Sequence, residues 1–184
     1  MNLMLLTRAA SSVALPTALG LAWLQRRNQR PALIEDRPGD ESIRRRPTRR
    51  EFHRMISNGD PLSDLDLRNL RLKGADLKDR DLARSDLTKV DLRDAMLVGA
   101  DLSESVLDYA DLSGADLGGA DLQGASLVDT SLWNSDLRGA DLRGVRNLVM
   151  ANLKRATFDN DTTWPGRMDP TALGAIATKS RRSR

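Results

Sequence analysis

Aspartate recurs at five-residue intervals through the middle of this 184-residue chain. Many aspartates of the series directly precede a leucine, among them Asp76, Asp81, Asp86, Asp91, Asp101, Asp111, Asp116, Asp121, Asp136 and Asp141. Carboxylates at regular spacing can do acid–base work, ligate metal ions, imitate phosphates or accept hydrogen bonds inside turns. Because these aspartates recur at one slot of a repeat, we interpret them first as turn residues.

The chain lacks the side chains on which many enzymes depend. It has no cysteine, which excludes disulfides, thiolate nucleophiles and cysteine-ligated metals. Its one histidine is His53, and no P-loop, dinucleotide fingerprint or G-x-S-x-G elbow occurs. We therefore predict that the protein is not an enzyme and uses neither a cofactor nor a metal.

Leucine keeps the same period from Leu62 to Leu142, in seventeen consecutive repeats. Five residues of α-helix turn about 500°, so these leucines would scatter around a helix. Five residues of a flat strand would place successive leucines on opposite faces. A chain that bends at every repeat can point all of them to one axis, and such internal repetition indicates a solenoid.

The positions around each leucine complete the repeat: usually a small residue, then Asp, then Leu, then two variable residues of which the second is often Gly. Runs such as 110–114, 115–119 and 120–124 resemble the pentapeptide-repeat family. The resemblance covers residues 62–165, and it implies a right-handed quadrilateral β-helix of about five coils, with four repeats per coil. The predicted fold class is therefore an all-β solenoid.

Both ends of the solenoid have candidate covers. Thr48 and Glu51 fit a capping box, so residues 48–61 are predicted to form a capping helix and turn. The register slips by one residue at 145–147, and residues 166–184 are predicted to be a short helix, within 170–178, and a basic tail. Arg80 occupies an inward slot. Because burying a bare guanidinium is costly, we expect it to reach solvent or to pair with an Asp.

Residues 1–25 form a separate apolar segment, without charge from Ala9 to Leu24. A membrane-anchoring helix is one interpretation, since Trp23 and the following arginines suit an interface. The positive-inside rule would then hold the repeats on the cytoplasmic side. A cleaved targeting peptide and a helix packed against protein are the alternatives, so an organelle-targeted or soluble cytoplasmic protein stays open.

Residues 26–47 are predicted to be a basic flexible linker. Beside an apolar segment, such a stretch can lie on anionic lipid, or it can be solvated chain. The candidate membrane-surface residues are Arg26, Arg27, Arg30, Arg44, Arg45 and Arg46.

The repeat surface offers candidate partner-binding residues. With twenty residues per coil, Asp81, Asp101, Asp121 and Asp141 would stack in a ladder on one face, and between Arg93 and Arg138 no Lys or Arg occurs. Trp133 is predicted to point outward, where an aromatic side chain can anchor a partner. Because the repeat region is acidic, direct nucleic-acid binding is not expected.

The sequence therefore predicts a membrane-tethered protein-interaction or scaffold domain that presents flat acidic β-helix faces to an unknown protein partner. The alternatives are a regulator that mimics DNA toward gyrase, a type II topoisomerase, as the resemblance implies for some family members, and a soluble interaction protein with a cleaved targeting peptide. A homodimer is also compatible with the sequence.

Overall fold

The repeats wind into a coil of twenty residues per turn. The computed structural model describes residues 44–166 and 168–179. Parallel β-bridges join residues twenty apart, for example Met96 with Asp116 and Asp101 with Asp121. Backbone hydrogen bonds connect the coils, as from the Leu97 amide to the Asp116 carbonyl at 2.7 Å. All seventeen leucines of the series are buried, which confirms the predicted solenoid.

Each coil has four faces, one per pentapeptide, which we number in chain order. Face one is centred on Leu62, Leu82, Leu102, Leu122 and Leu142; face two on Leu67, Leu87, Leu107 and Leu127; face three on Leu72, Leu92, Leu112 and Leu132; face four on Leu77, Leu97, Leu117 and Leu137. The chain passes from face four directly to face one of the next coil. These two faces are therefore neighbours, whereas faces one and three are opposite.

A left-handed residue ends almost every repeat and turns the chain to the next face. The last residue of the pentapeptide has a positive φ in Gly119 (66°) and also in non-glycine residues such as Asn134 (57°). Glycine, asparagine and aspartate adopt this conformation at the lowest cost, which explains why they are common at this position. Small residues two before the leucine fill the interior between the leucines, as Ala95 and Ala115 do.

Helix α1 (Arg49–Asn58) precedes the first coil. Thr48 is its N-cap: the Glu51 amide donates to the Thr48 side chain, and the Thr48 amide donates to the Glu51 carboxylate. The helix ends at Gly59, which is left-handed. Phe52 and Met55 are buried and belong to the same apolar core as the leucines.

Arg80 follows neither of the two predicted outcomes. Its guanidinium is half-buried, and Nη2 donates to the backbone carbonyls of Met55, at 3.3 Å, and of Asp60. The side chain therefore binds carbonyls at and just after the C-terminal end of α1, where a cation is favourable. Its Nε has no hydrogen-bond partner in the described part of the chain.

The register slips twice near the C-terminus. Ser126 still pairs with Arg146, twenty residues on, but Ser131 pairs with Asn152, which confirms the predicted one-residue slip. The extra residue is accommodated at a 3₁₀ helix, Leu148–Met150. A second slip, which the sequence analysis missed, lies between Thr157, the partner of Asp136, and Thr163, the partner of Asp141.

The C-terminal segment differs from its prediction. A 3₁₀ helix covers Pro170–Leu173 and ends at Gly174, which is left-handed, so it does not continue through 178. Strand β2 (Ile176–Ala177) then pairs in parallel with strand β1 (Thr157–Phe158). Phe158 and Trp164 meet edge to face, with ring centroids 5.4 Å apart, and both pack against the core.

The predicted flexible linker 26–47 is wrong at its C-terminal end. Arg45 forms a β-bridge with Leu65, and its carbonyl accepts a hydrogen bond from the Asp66 amide at 2.9 Å. Residues 1–43, including the apolar segment 1–25 and Arg26, Arg27 and Arg30, lie outside the described residues, as does the tail from Ser180. In the stretches 44–166 and 168–179, no helix combines the length and apolar character needed to cross a bilayer.

Candidate protein-interaction surface

The aspartates before the leucines are turn residues. In eleven repeats the Asp carboxylate accepts a hydrogen bond from the backbone amide two residues on, at 2.8–3.3 Å: Asp66, Asp76, Asp81, Asp86, Asp91, Asp101, Asp111, Asp116, Asp121, Asp136 and Asp141. This contact is the local side-chain-to-backbone bond typical of aspartate in turns. One carboxylate oxygen of each residue is thus engaged by the fold.

The predicted ladder on face one exists. Asp81 bridges to Asp101, Asp101 to Asp121 and Asp121 to Asp141, so the four side chains leave successive rungs of one sheet. Neighbouring rungs of such a sheet are about 4.8 Å apart. Since like charges at that spacing repel each other, the ladder is a concentrated negative surface and not a source of stability.

The C-terminal rung of the ladder, Asp141, forms an ion pair, unlike the other three rungs. Arg143 donates from Nε and Nη2 to Asp141, at 2.6–3.0 Å, and Thr163 donates its hydroxyl to the same carboxylate at 2.7 Å. The Arg143 guanidinium is the main reason that the pKa of Asp141 falls to about 2. The other three rungs, Asp81, Asp101 and Asp121, have no ion pair among the described residues.

The unpaired carboxylates concentrate on the two neighbouring faces four and one, which together we call the acidic side. The acidic side chains there that lack an ion pair within the described stretches include these seven: Asp76, Asp79, Asp81, Asp101, Glu104, Asp116 and Asp121. None of them is buried. The acidic side is therefore open, to solvent or to a partner.

On faces two and three, most carboxylates are neutralised by a neighbouring cation. Arg93 donates to Asp91 at 2.7–2.8 Å and lies 3.7 Å from Asp111. The side-chain hydrogen bond from Arg93 is the main reason that the pKa of Asp91 lies below its ordinary value. Arg68 pairs in the same way with Asp66.

Trp133 lies on face three, opposite the ladder. It is 43% exposed, and the Arg155 guanidinium lies 5.7 Å from the centre of its ring. The structure therefore confirms that Trp133 points outward, but it does not bring Trp133 together with the predicted acidic ladder. The partner-binding candidates belong to two separate surfaces.

The arginines just before α1 contact either α1 itself or the first coils. Arg44 lies 4.0 Å from Asp86, Arg45 lies 3.5 Å from Glu51, and Arg46 donates to the Arg68 carbonyl at 3.3 Å. Their role at a membrane surface stays a prediction.

Across the part of the chain that the structure describes, no group of His, Cys, Asp or Glu side chains is arranged to hold a metal ion.

The sequence analysis missed a groove on face four. It has a volume of about 250 Å³, and Gly118, Gly119 and Gly139 form part of its lining. Two lining carboxylates, Asp159 and Asp161, come from the segment after the first register slip. A signal was present in the sequence, because Gly139 lies one coil after Gly119 and the pair Gly118–Gly119 leaves two successive outward positions without side chains.

The same repeats that form the coils also match a known protein family. Residues 62–95, 85–124 and 120–160 match the family Pentapeptide repeats, in eight copies. The chain belongs to the pentapeptide-repeat family. Among curated proteins, none matches the chain.

Several solved pentapeptide-repeat structures are similar to this family member. Rfr23 from the cyanobacterium Cyanothece 51142 is 42% identical over 51% of this chain and 63% of its own, with a TM-score of 0.50. A pentapeptide repeat protein from the Arabidopsis thaliana thylakoid lumen is 29% identical over 65% of this chain and 82% of its own, with a TM-score of 0.52. QnrB1, a plasmid-mediated fluoroquinolone resistance protein, is 17% identical over 67% of this chain and 76% of its own; its TM-score of 0.34 supports no argument.

Proposed function

We propose that this pentapeptide-repeat protein is a non-enzymatic interaction domain whose acidic side binds a basic surface of a partner protein. The observation that carries the proposal is the set of seven unpaired carboxylates on faces four and one. A surface of one charge sign attracts a complementary partner and accelerates their association.

The rigidity of the acidic side also favours binding. Its carboxylates leave a backbone that is hydrogen-bonded to the coils on both sides, and one oxygen of most of them is fixed by a turn. A pre-organised surface loses little conformational entropy when a partner binds. The second oxygens of Asp81 and Asp101 accept no hydrogen bond from the described residues and remain available to a partner.

A charge-removal experiment tests the proposal. Asn can accept the same turn hydrogen bond as Asp, so the triple variant Asp81→Asn, Asp101→Asn, Asp121→Asn removes three charges and preserves the turns. The matched control, Asp66→Asn, Asp91→Asn, Asp111→Asn, removes three charges from faces two and three. We expect proteins captured from native extract by the full chain to be lost with the triple variant, retained with the control and released by salt. Equal retention by both variants would refute the proposal.

The topoisomerase alternative depends on the same carboxylates. The ladder on face one favours it, because regularly stacked negative charge can imitate a nucleic-acid backbone. A supercoiling assay with gyrase, with and without a quinolone, tests it directly. An effect of the full chain that disappears in the triple Asp→Asn variant would support DNA mimicry, whereas no effect under either condition would exclude it.

The membrane tether is a separate proposal for residues 1–25. The thylakoid-lumen origin of the Arabidopsis relative supports the alternative that this segment is a targeting peptide. Membrane fractionation of the full chain and of a variant that lacks residues 1–30 distinguishes them. Sedimentation of only the full chain with membranes would support the tether, and a shortened mature protein would support targeting.

The predicted homodimer is tested by measuring the mass of the full chain in solution.

A further inference from the structure

The groove on face four lies within the acidic side and is shaped by missing side chains. A Cβ atom added to Gly119 would meet no other atom within 4 Å, so the space above this residue is open. The backbone there does not demand glycine, because Asn134 occupies the same position of its repeat with nearly the same φ. Glycine at this position therefore leaves room on the surface that a side chain would fill.

The charge of the groove is negative. Four of the residues that line it are aspartates, and one cation, Arg138, accompanies them. Arg138 donates from Nε to Asp136 at 2.8 Å, and its Nη2 binds the same carboxylate. Burial raises the pKa of Asp136, but the hydrogen bonds from Arg138 outweigh that effect and leave the pKa below its ordinary value. The charge of Asp136 is thus matched within the groove.

Asp159 is a second, unusual carboxylate of the groove. It is only 6% exposed, and its Oδ1 accepts hydrogen bonds from the amides of Gly139, Asp161 and Thr162 at 3.0–3.2 Å and from the Thr162 hydroxyl. Its Oδ2 accepts no hydrogen bond and forms no ion pair with the described residues. Oδ2 is not sealed from solvent and Asp159 lines the groove, so this oxygen is an acceptor that a cation in the groove can reach.

The dimensions of the groove limit what it can hold. Pockets for small molecules and cofactors usually measure about 300–1,000 Å³, so a groove of about 250 Å³ suits a single long side chain. Val98 provides an apolar edge for an aliphatic stem, and Asp116 and Asp159 provide acceptors for its charged end. Arginine fits both features, since its guanidinium is weakly hydrated and matches carboxylates through several donors.

We propose that this groove binds an arginine side chain that the partner protein presents from an exposed loop. This inference rests on the proposed function, because it identifies the chemistry that the acidic side recognises. It also distinguishes one place on that side: the ladder attracts any basic surface, whereas the groove selects a guanidinium on an extended stem.

Two small probes test the groove directly. Nα-acetyl-arginine amide carries the guanidinium, and Nα-acetyl-citrulline amide is its neutral counterpart. In ¹H–¹⁵N spectra of the full chain, we expect the arginine probe to shift the amides of Gly118, Gly119 and Gly139, with a Kd of about a millimolar. The proposal fails if these shifts are absent, if they spread evenly along the acidic side, or if the citrulline probe causes them equally.

Matched variants then separate the groove from general acidity. Gly119→Asn fills the groove with a residue that the repeat tolerates, and it should weaken arginine binding at least about tenfold. Gly74→Asn is the control, because Gly74 has the same left-handed backbone and open surroundings but follows face three. It should bind as the unchanged chain does. Asp116→Asn, which keeps its turn bond, should weaken binding several-fold and serves if Gly119→Asn does not fold.

The same variants distinguish the two proposals in partner capture. If Gly119→Asn still captures the partner and the triple Asp→Asn variant does not, the acidic side binds the partner and the groove inference is wrong. If Gly119→Asn loses the partner while Gly74→Asn retains it, the groove inference is supported.

Discussion

The acidic side and the opposite pair of faces use the same aspartate turn but differ in how many of their carboxylates have a cation beside them. On faces two and three, Arg68 and Arg93 each follow a leucine, and each guanidinium pairs with the aspartate of its own repeat. On the acidic side, Arg138 and Arg143 form the same pair near the C-terminus, but in most repeats the residue after the leucine has no charge, as in Ser103, Gly118 and Gln123. The turn therefore determines where the carboxylates lie, and the cations near them determine whether their charge is matched.

The two sides share one core, and core substitutions test whether the difference is confined to the surface. Leu117→Ala on face four and Leu112→Ala on face three each remove a fully buried side chain. Each should lower the free energy of unfolding by about 2–5 kcal/mol, because a cavity remains. Urea denaturation of both variants measures this. A large difference between them would show that the two sides are also packed differently.

The shared turn role predicts that shape matters more than charge at a ladder position. Asp121→Ala removes the acceptor of the Gln123 amide, at 2.8 Å, and should lower the free energy of unfolding by about 1 kcal/mol. Asp121→Asn keeps an acceptor and should be close to neutral. If thermal unfolding shows both variants equally destabilised, the carboxylate charge, and not the turn, stabilises this position.

Removing a charge should have opposite consequences on the two sides. Asp91→Asn loses the paired bonds from Arg93 and should lower the free energy of unfolding by about 0.2–1 kcal/mol. Asp101→Asn breaks no ion pair and relieves repulsion within the ladder, so its stability should be unchanged or slightly higher. Urea denaturation at low salt compares them. Equal destabilisation would remove the distinction between the sides.

The smallest expected effect is the acid dependence of the paired rung Asp141. Its folded pKa is about 2, below the ordinary value of 3.8, so its contribution is complete above pH 4 and declines as the pH falls toward 2. Asp141→Asn should flatten the pH dependence of the urea midpoint in this window. An unchanged pH profile in the variant would show that Arg143 does not stabilise the folded chain through this carboxylate.

The sequence predicted the features that repeat and missed those that depend on an interruption. The leucine period and the turn aspartates are local patterns, so the coil and the stacking from Asp81 to Asp141 followed from counting twenty residues. The role of Arg80 did not, because counting gives Asp60 as its neighbour one coil earlier but does not show that the guanidinium binds backbone carbonyls, one of them in α1.

The groove was also not predicted from the sequence. Counting in twenties places Asp159 beside Gly139 on face four, but it does not predict that the Asp159 carboxylate accepts the Gly139 amide and is nearly buried there. The end of the chain was mistaken because residues 170–178 suggested a continuous helix. Gly174 ends that helix early, and Ile176 can then pair with Thr157. Long-range pairing of two residues leaves little trace in local composition.

The twenty-residue coil makes the length of this protein a stepwise quantity. Each added coil separates the two ends by a further 4.8 Å or so and changes neither end, since a coil touches only those next to it. An insertion of any other length must place its extra residues at the surface, as Val149 and Met150 do in the 3₁₀ helix Leu148–Met150. Coil number is thus a molecular ruler, and duplication or loss of whole coils offers a simple route by which related proteins could hold two attached molecules at different distances.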